Sequence, residues 1–408
     1  MKDLRSEFSC YLPSSETENM THVIANGKGS FYRDIEGREY LDLSSGIFTN
    51  SFGHGDDELA QSLYDSFVEL ANIHGRHWVK ENDIYRRLFS YLPEGNYRVI
   101  PYAGEGGYLI DRIEVELYYH FSKRKYNLAA FSSGFHGKTQ GTKLTVNRTQ
   151  DSTYFYSHLI HEPDCLNCPC GITKDKCSLE CAELAERELI ENMTDVFIFE
   201  PVIGSRIIIP PEGYLKRVCD FCREHGILTV ADEIITCGGR TGNFFASTLF
   251  GISPDVIAAA KGLANGMPMS MMFMKKELTE NEYSVRKGNY SSTFMNIPAL
   301  LSLTGKVLEK LERENIFSNV TERGRELLSG LEAMKERYPV IRDVRGIGLM
   351  AAMEFTHDLG VFRAAERNGL ELIDSGPVVR IAPPLNVTSE EIYLGLERLE
   401  RSIKEVLR

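Results

Sequence analysis

The sequence predicts an α/β fold, with a large domain on a mainly parallel sheet and a smaller α+β domain drawn from both ends of the chain. Three observations lead there. First, short apolar strips, "NLAAFSS", "DVFIFEPVI", "ILTVADEII", "DVIAAAKG" and "SMMFMKK", recur through the middle of the chain. Strands covered on both faces read as continuous apolar runs, whereas half-exposed strands alternate. Second, helix-length segments separate the strips; "GYLKRVCDFCREHG" is one, closed by Gly226, a residue suited to the left-handed backbone of a helix end. Strips alternating with helices build parallel sheets. Third, the pattern changes from residue 298, where amphipathic helices such as "ALLSLTGKVLEKLERE" lead into "IRDVRGIGLMAAMEF" and "PVVRIAPPL".

Taken in order, "HVIANGKGSFYRDIEGREYLDLSSG" alternates apolar residues between Gly27, Gly29 and Gly37 and predicts a small antiparallel hairpin element. "DDELAQSLYDSFVELAN", "ENDIYRRLFSYL" and "RIEVELYYHFS" carry apolar residues at helical spacing. The expected division is residues 1–50 as the N-terminal part of the small domain, 51–297 as the large domain and 298–408 as the C-terminal part of the small domain. No internal repeat, low-complexity tract or flexible linker interrupts it.

Composition narrows the function. The chain has 408 residues, 42% hydrophobic and 25% charged, with a formal net charge of -12. That charge has no basic stripe, which argues against nucleic-acid or anionic-membrane partners. The N-terminus "MKDLRSEFSCYLPSS" lacks a continuous apolar segment, and no uncharged run is long enough to span a bilayer, so a cytoplasmic protein is expected. Nine cysteines, an odd number, suit reduced thiols better than a disulfide framework.

The chemistry is concentrated at strand ends, where open α/β sheets bind ligands. "PDVIAAAKGLANG" places Lys261 among small apolar residues. A lysine there loses hydration and its amine becomes available as a nucleophile or Schiff-base former. "ILTVADEII" ends in Asp232 and Glu233, and "DVFIFEPVIG" runs into Glu200; a carboxylate at the end of a buried strand is costly without a partner. Pyridoxal phosphate accounts for the set. It requires a lysine for its aldehyde, a carboxylate against its pyridine nitrogen, an apolar clamp on its ring and an anion site for its phosphate.

Here the resemblance becomes specific. "ADEIITCGGRTGNFFASTLFGISPDVIAAAKGLANGMP", with Lys261 lying 29 residues after Asp232, resembles the central segment of class III aminotransferases. "GREYLDLSSGI", "GFHGKTQG", "FEPVIGSRIIIPPEGYL", "STFMNIPA", "VRGIGL" and "VVRIAPPLN" match in the family's order over roughly residues 25 to 390. The resemblance implies fold type I of the pyridoxal-phosphate enzymes and a homodimer. It implies that Lys261 forms the Schiff base and moves the substrate proton, that Asp232 pairs with the pyridine nitrogen, and that Phe135 and Ile234 clamp the ring. Thr293 of "SSTF" would reach the phosphate from the partner subunit. His136 is expected in a structural role beside Phe135, and Glu200 in support of the site's hydrogen bonds.

The chain also departs from the family. Instead of Ser-Gly-Ser/Thr-Glu-Ala at the phosphate-binding helix start it has "YAGEGGYLIDRIEVELYY". Either Asp111 stands for the motif's glutamate after an insertion, or Gly104 and Glu105 take the Gly-Ser/Thr positions. Relatives that use α-ketoglutarate with ornithine-like substrates have an arginine after "FHG" and a glutamate after "EP-x-x-G"; Lys138 and Ser205 stand there. Ile235, where many relatives have glutamine, resembles the branch acting on ω-amines and β-amino compounds, and some racemases. Arg380 is a candidate carboxylate fork, since guanidinium binds carboxylates bidentately; Phe48 and Tyr102 are candidates for the substrate pocket. "CLNCPCGITKDKC" with Cys181 has metal-like spacing, but is read as a loop of reduced thiols, with no metal. Cys219 and Cys222 fall on a predicted amphipathic helix and are assigned to packing. The expected function is transfer of an amino group between an amine or amino acid and a keto acid or aldehyde by a ping-pong mechanism. The alternatives are an amino-acid racemase or epimerase and, in third place, a non-catalytic binding protein.

Overall fold

The structure is a computed structural model that describes residues 11, 21–145, 152–280 and 291–408. Its centre is a seven-stranded sheet made of β4 (Tyr97–Ala103), β5 (Tyr126–Phe131), β6 (Phe155–Ile160), β7 (Val196–Phe199), β8 (Leu228–Asp232), β9 (Val256–Ala259) and β10 (Met269–Lys275), in the order β4-β10-β9-β8-β7-β5-β6. The β6, β5, β7, β8 and β9 strands run parallel. β10 is antiparallel to both β4 and β9, which makes β4 parallel to β9, so the strands leading into functional loops all end on one edge. β7 (VFIF) and β9 (VIAA) are buried at every residue, as central strands with helices on both faces must be.

Helix α1 (Asp57–Glu69) opens on an Asp56 cap that accepts the Leu59 N–H. Helix α2 (Gly106–His120) packs Leu109, Ile110, Ile113 and Leu117 over one face of the sheet, against Tyr126, Leu128, Val230 and Met272. On the other face, Tyr214, Leu215, Val218 and Cys222 of α3 (Tyr214–Glu224) are buried. Gly226, with φ +68°, ends that helix in the left-handed conformation. Residue 222 is thus a packing cysteine, as the helical spacing predicts.

Strands β1 (Ile24–Lys28), β2 (Phe31–Asp34) and β3 (Glu39–Asp42) form the antiparallel element read from the N-terminal glycines. β3 also pairs in parallel with β13 (Leu370–Glu371), which brings the N-terminal strip to the C-terminal region. There, β11 (Ile341–Ile347), β12 (Met350–Phe355), β14 (Ile373–Ser375) and β15 (Val378–Ile381) make a third sheet. Long helices α4 (Pro298–Arg313), α5 (Ile316–Arg337) and α6 (Ser389–Val406) accompany it. α6 begins with a capping box in which Thr388 and Glu391 satisfy each other's backbone N–H. Among the described residues no helix is long and apolar enough to cross a membrane.

Candidate active site

The adjacent strands β7, β8 and β9 each deliver one side chain to the same edge. Glu200 follows β7 by one residue, Asp232 is the last residue of β8, and Lys261 lies two residues beyond β9. Strand spacing near 4.8 Å keeps such ends within reach of one small ligand. The turn with Phe135 and His136 follows β5, the other neighbour of β7.

The lysine amine is the least satisfied group here. Lys261 Nζ stands 5.9 Å from the Phe48 ring centroid, and among the described residues it makes no hydrogen bond or ion pair. Burial holds its pKa below that of an ordinary lysine, with Arg380 acting in the same sense against Asp232 and Glu200. Its backbone has φ +40°, and Phe48 has φ +66°; such left-handed non-glycine residues cluster at functional sites.

Asp232 and Glu233 divide their work. Glu233 accepts the N–H groups of Ala246 (2.8 Å) and Ser247 (2.6 Å), which anchors the following turn. Asp232 turns to the site, its Oδ2 taking the Nδ1–H of buried His136 at 2.7 Å and its Oδ1 the Ile234 N–H at 3.1 Å. Burial alone would lower the His136 pKa, but the hydrogen bond and charge of Asp232 outweigh it and raise the imidazole above its ordinary value. Nε2 of His136 is buried without a hydrogen-bond partner.

Glu200 works through the backbone. Its two oxygens accept the N–H of Phe135 at 2.9 Å and of Gly204 at 3.0 Å, and burial pushes its pKa up to about 7. The Gly204 carbonyl in turn accepts Nη1 of Arg380 at 2.9 Å. Glu200 therefore links the Phe135 turn to the loop that holds Arg380. Arg380 Nε is buried and unpartnered, and burial lowers that guanidinium's pKa. Ser205 Oγ donates to the Ser133 carbonyl at 2.9 Å.

At the other end of the site, α2 starts at Gly106 with Glu105 as its cap residue. Gly104 and Glu105 lead into the helix, while Asp111 lies inside it, where its carboxylate accepts Thr139 Oγ1 at 2.8 Å. The helix-start N–H groups of Glu105, Gly106, Gly107 and Tyr108 have no acceptor among the described residues. That cradle is suited to an anion. A Cβ on Gly106 would lie 2.5 Å from Ile234 Cδ1, so the cradle and the ring-clamp position touch.

Pyridoxal phosphate fits these residues. The free N–H groups suit its phosphate, and Phe135, 50% exposed, with Ile234 offers apolar surface for its ring. The Asp232–His136 pair suits its pyridinium, and the unpartnered amine of Lys261 suits its aldehyde.

Not every expected residue gathers here. Tyr102 is buried where β4 meets α2, edge-on to Tyr108 and under Arg112, and it packs beneath the helix. Thr293 is exposed, and its carbonyl accepts Asn72 Nδ2 at 3.1 Å. The next residue, Phe294, accepts the Ala103 N–H at 3.4 Å, so this segment runs beside the Gly104 loop of its own chain. One residue of the site had no assigned role in the sequence reading. Arg240, from the quoted "GGRTG" turn, is buried against the face of Phe48, 5.8 Å from its ring, and donates to the Pro383 and Leu349 carbonyls. A cation inside that glycine turn was its signal.

The clustered cysteines are free thiols. Cys165, Cys168, Cys177 and Cys181 line a cavity of about 240 Å³ with Pro211 and Glu212. Burial pushes Cys181 up to about 12. Among the described residues no group of three or more His, Cys, Asp or Glu is placed to hold a metal ion.

Comparison with known proteins gives the family. The class III aminotransferase model matches residues 13–403. An acetylornithine aminotransferase of Synechocystis is 31% identical, over 93% of this chain and 89% of that protein. A leucine/methionine racemase of Thermococcus litoralis is 27% identical, over 99% and 96%. Among solved structures, a Bacillus anthracis aminotransferase superposes with a TM-score of 0.88 at 25% identity, covering 98% of both chains. A match of that extent, on a sheet edge that carries both Lys261 and Asp232, means that this chain belongs to the class III aminotransferases, enzymes that work with pyridoxal phosphate.

Proposed function

We propose that this enzyme moves an amino group from an amine or amino acid to a keto acid or aldehyde in two half-reactions, acting as a cytoplasmic homodimer. The observation that carries the reading is the partly buried, unpartnered amine of Lys261 beside the Asp232–His136 pair. Bound pyridoxal phosphate supplies the electron sink and carries the nitrogen between the half-reactions. Lys261 takes and returns the proton at the substrate carbon. Asp232, oriented by His136, holds the charge of the pyridinium nitrogen. Phe135 and Ile234 would cover the ring's faces and exclude water from them. Arg380, fixed through the Gly204 carbonyl, presents its remaining N–H groups to a substrate carboxylate, and Phe48 forms the wall beside the lysine.

The acetylornithine relatives do not carry their substrate across, because Lys138 and Ser205 occupy the positions on which that specificity rests in the resemblance. A racemase is the second reading, favoured by the leucine/methionine racemase and by an alanine/serine racemase of Pyrococcus horikoshii, 30% identical over 94% of this chain. Racemisation needs a second acid/base or an exchangeable water on the face opposite the lysine. Tyr102 is committed to the α2 packing and His136 is tied to Asp232, which favours transamination. Purified enzyme given a panel of amino acids and keto acids is expected to accumulate the pyridoxamine form with each good donor. Chirality inversion with deuterium exchange and no pyridoxamine would transfer the assignment to the racemase.

A further inference from the structure

The helix that opens the phosphate cradle carries a charge of the wrong sign for its ligand. Glu105 is the cap residue of α2, yet its side chain makes no capping bond. It is exposed, and among the described residues no hydrogen bond or ion pair reaches its carboxylate. The cradle itself is intact: four free N–H groups, glycine at 104, 106 and 107, and Ile234 packed against Gly106. Those N–H groups and the aligned peptide dipoles give the helix start a partial positive charge. A carboxylate on the cap residue spends that field within the chain and repels a phosphate dianion placed against the same N–H groups.

We propose that Glu105 is an affinity-lowering residue that keeps pyridoxal phosphate exchangeable, by opposing the anion cradle at its own helix terminus. The proposal rests on the cofactor assignment and extends it to one side chain. Acting through the phosphate, the residue must discriminate between cofactor forms with and without that group. It also has an intramolecular signature. A negative charge at a helix start stabilises the empty helix, so its removal weakens the apoprotein while it strengthens the complex.

The test is cofactor affinity, measured by absorbance and fluorescence titration of apoprotein with pyridoxal phosphate and, separately, with pyridoxal. Glu105→Gln removes only the charge, and Glu105→Ser adds a hydroxyl donor. Glu105→Gln is expected to lower the Kd for pyridoxal phosphate on the order of fivefold, to leave the Kd for pyridoxal within twofold of wild type, and to lower the apoprotein's Tm slightly. Glu105→Ser should tighten binding at least as much. An unchanged pyridoxal-phosphate Kd in both variants, or an equal gain for pyridoxal, overturns the proposal. Failure of wild type and both variants to bind pyridoxal phosphate at all would instead strike the cofactor assignment.

Discussion

Lys261 and His136 are the side chains whose surroundings dictate the sharpest outcomes. Lys261 is the group proposed to carry the substrate proton. Lys261→Ala is expected to keep the fold by circular dichroism and lose turnover by at least about a hundredfold, the usual scale for a positioned acid–base group. Borohydride should fix the cofactor on the wild type and not on the variant; turnover at the parent rate would refute the assignment. For His136, the folded imidazole is held above its ordinary value of 6.5. The native state then binds its proton more tightly than the unfolded chain does. That stabilisation is fully present below the ordinary value and is lost as pH rises through the folded one. His136→Asn keeps a donor for Asp232 but cannot be charged. The Tm difference between the wild-type and His136→Asn apoproteins should therefore shrink as pH rises above the ordinary value of 6.5, whereas a constant difference would mean that the pair is neutral.

Among the elements, the start of α2 is closely packed. Strand β4 and this helix meet at Gly104–Gly107, and Ile234 from the loop after β8 fills the space over Gly106, with three of its carbons within 3 Å of where a Cβ would stand. Gly106→Ala should cost about 1–3 kcal/mol, the range for overpacking, in urea unfolding of the apoprotein, and should weaken cofactor binding, since displacement of Ile234 disturbs the ring clamp. A variant as stable as wild type would show that Ile234 rearranges freely. The strand-end elements were legible beforehand: "ILTVADEII", "DVIAAAKG" and "DVFIFEPVI" each contain the strand they predict. β4, with Pro101 and mixed polarity in "YRVIPYA", carried no such signal. Its place comes from pairing with β10 along seven residues.

For the whole molecule, the surface points to a second copy. α1 leaves Tyr64 65%, Phe67 61% and Val68 67% exposed, with Val79 at 86% nearby in sequence, and a large apolar patch marks an association surface. We propose that the homodimer forms there and that Thr293 of each subunit completes the other's site. Phe67→Glu should shift the protein to monomer in sedimentation. Mixing inactive Lys261→Ala with an inactive Thr293→Asp variant should restore part of the activity, because one composite site then has both residues; recovery of none after verified subunit exchange would confine Thr293 to its own chain. We propose the domain division near residues 50 and 297 on the same scale, with limited proteolysis as its check.

The sequence by itself determined the class of fold and put Glu200, Asp232 and Lys261 at strand ends, because each is written locally. A continuous apolar strip makes a buried strand, and a titratable residue at its end has nowhere to go except the ligand-binding edge. It also determined that the phosphate loop is unusual. Only the tertiary structure decided where the helix start falls, which removed Asp111 from the cradle and made Glu105 the cap. Only it gave Tyr102 to the packing under α2, joined Glu200 to Arg380 through Gly204, and set Arg240 against Phe48. These are contacts between residues far apart in the chain, and their partners are chosen by strand order and side-chain volume, which no local pattern records.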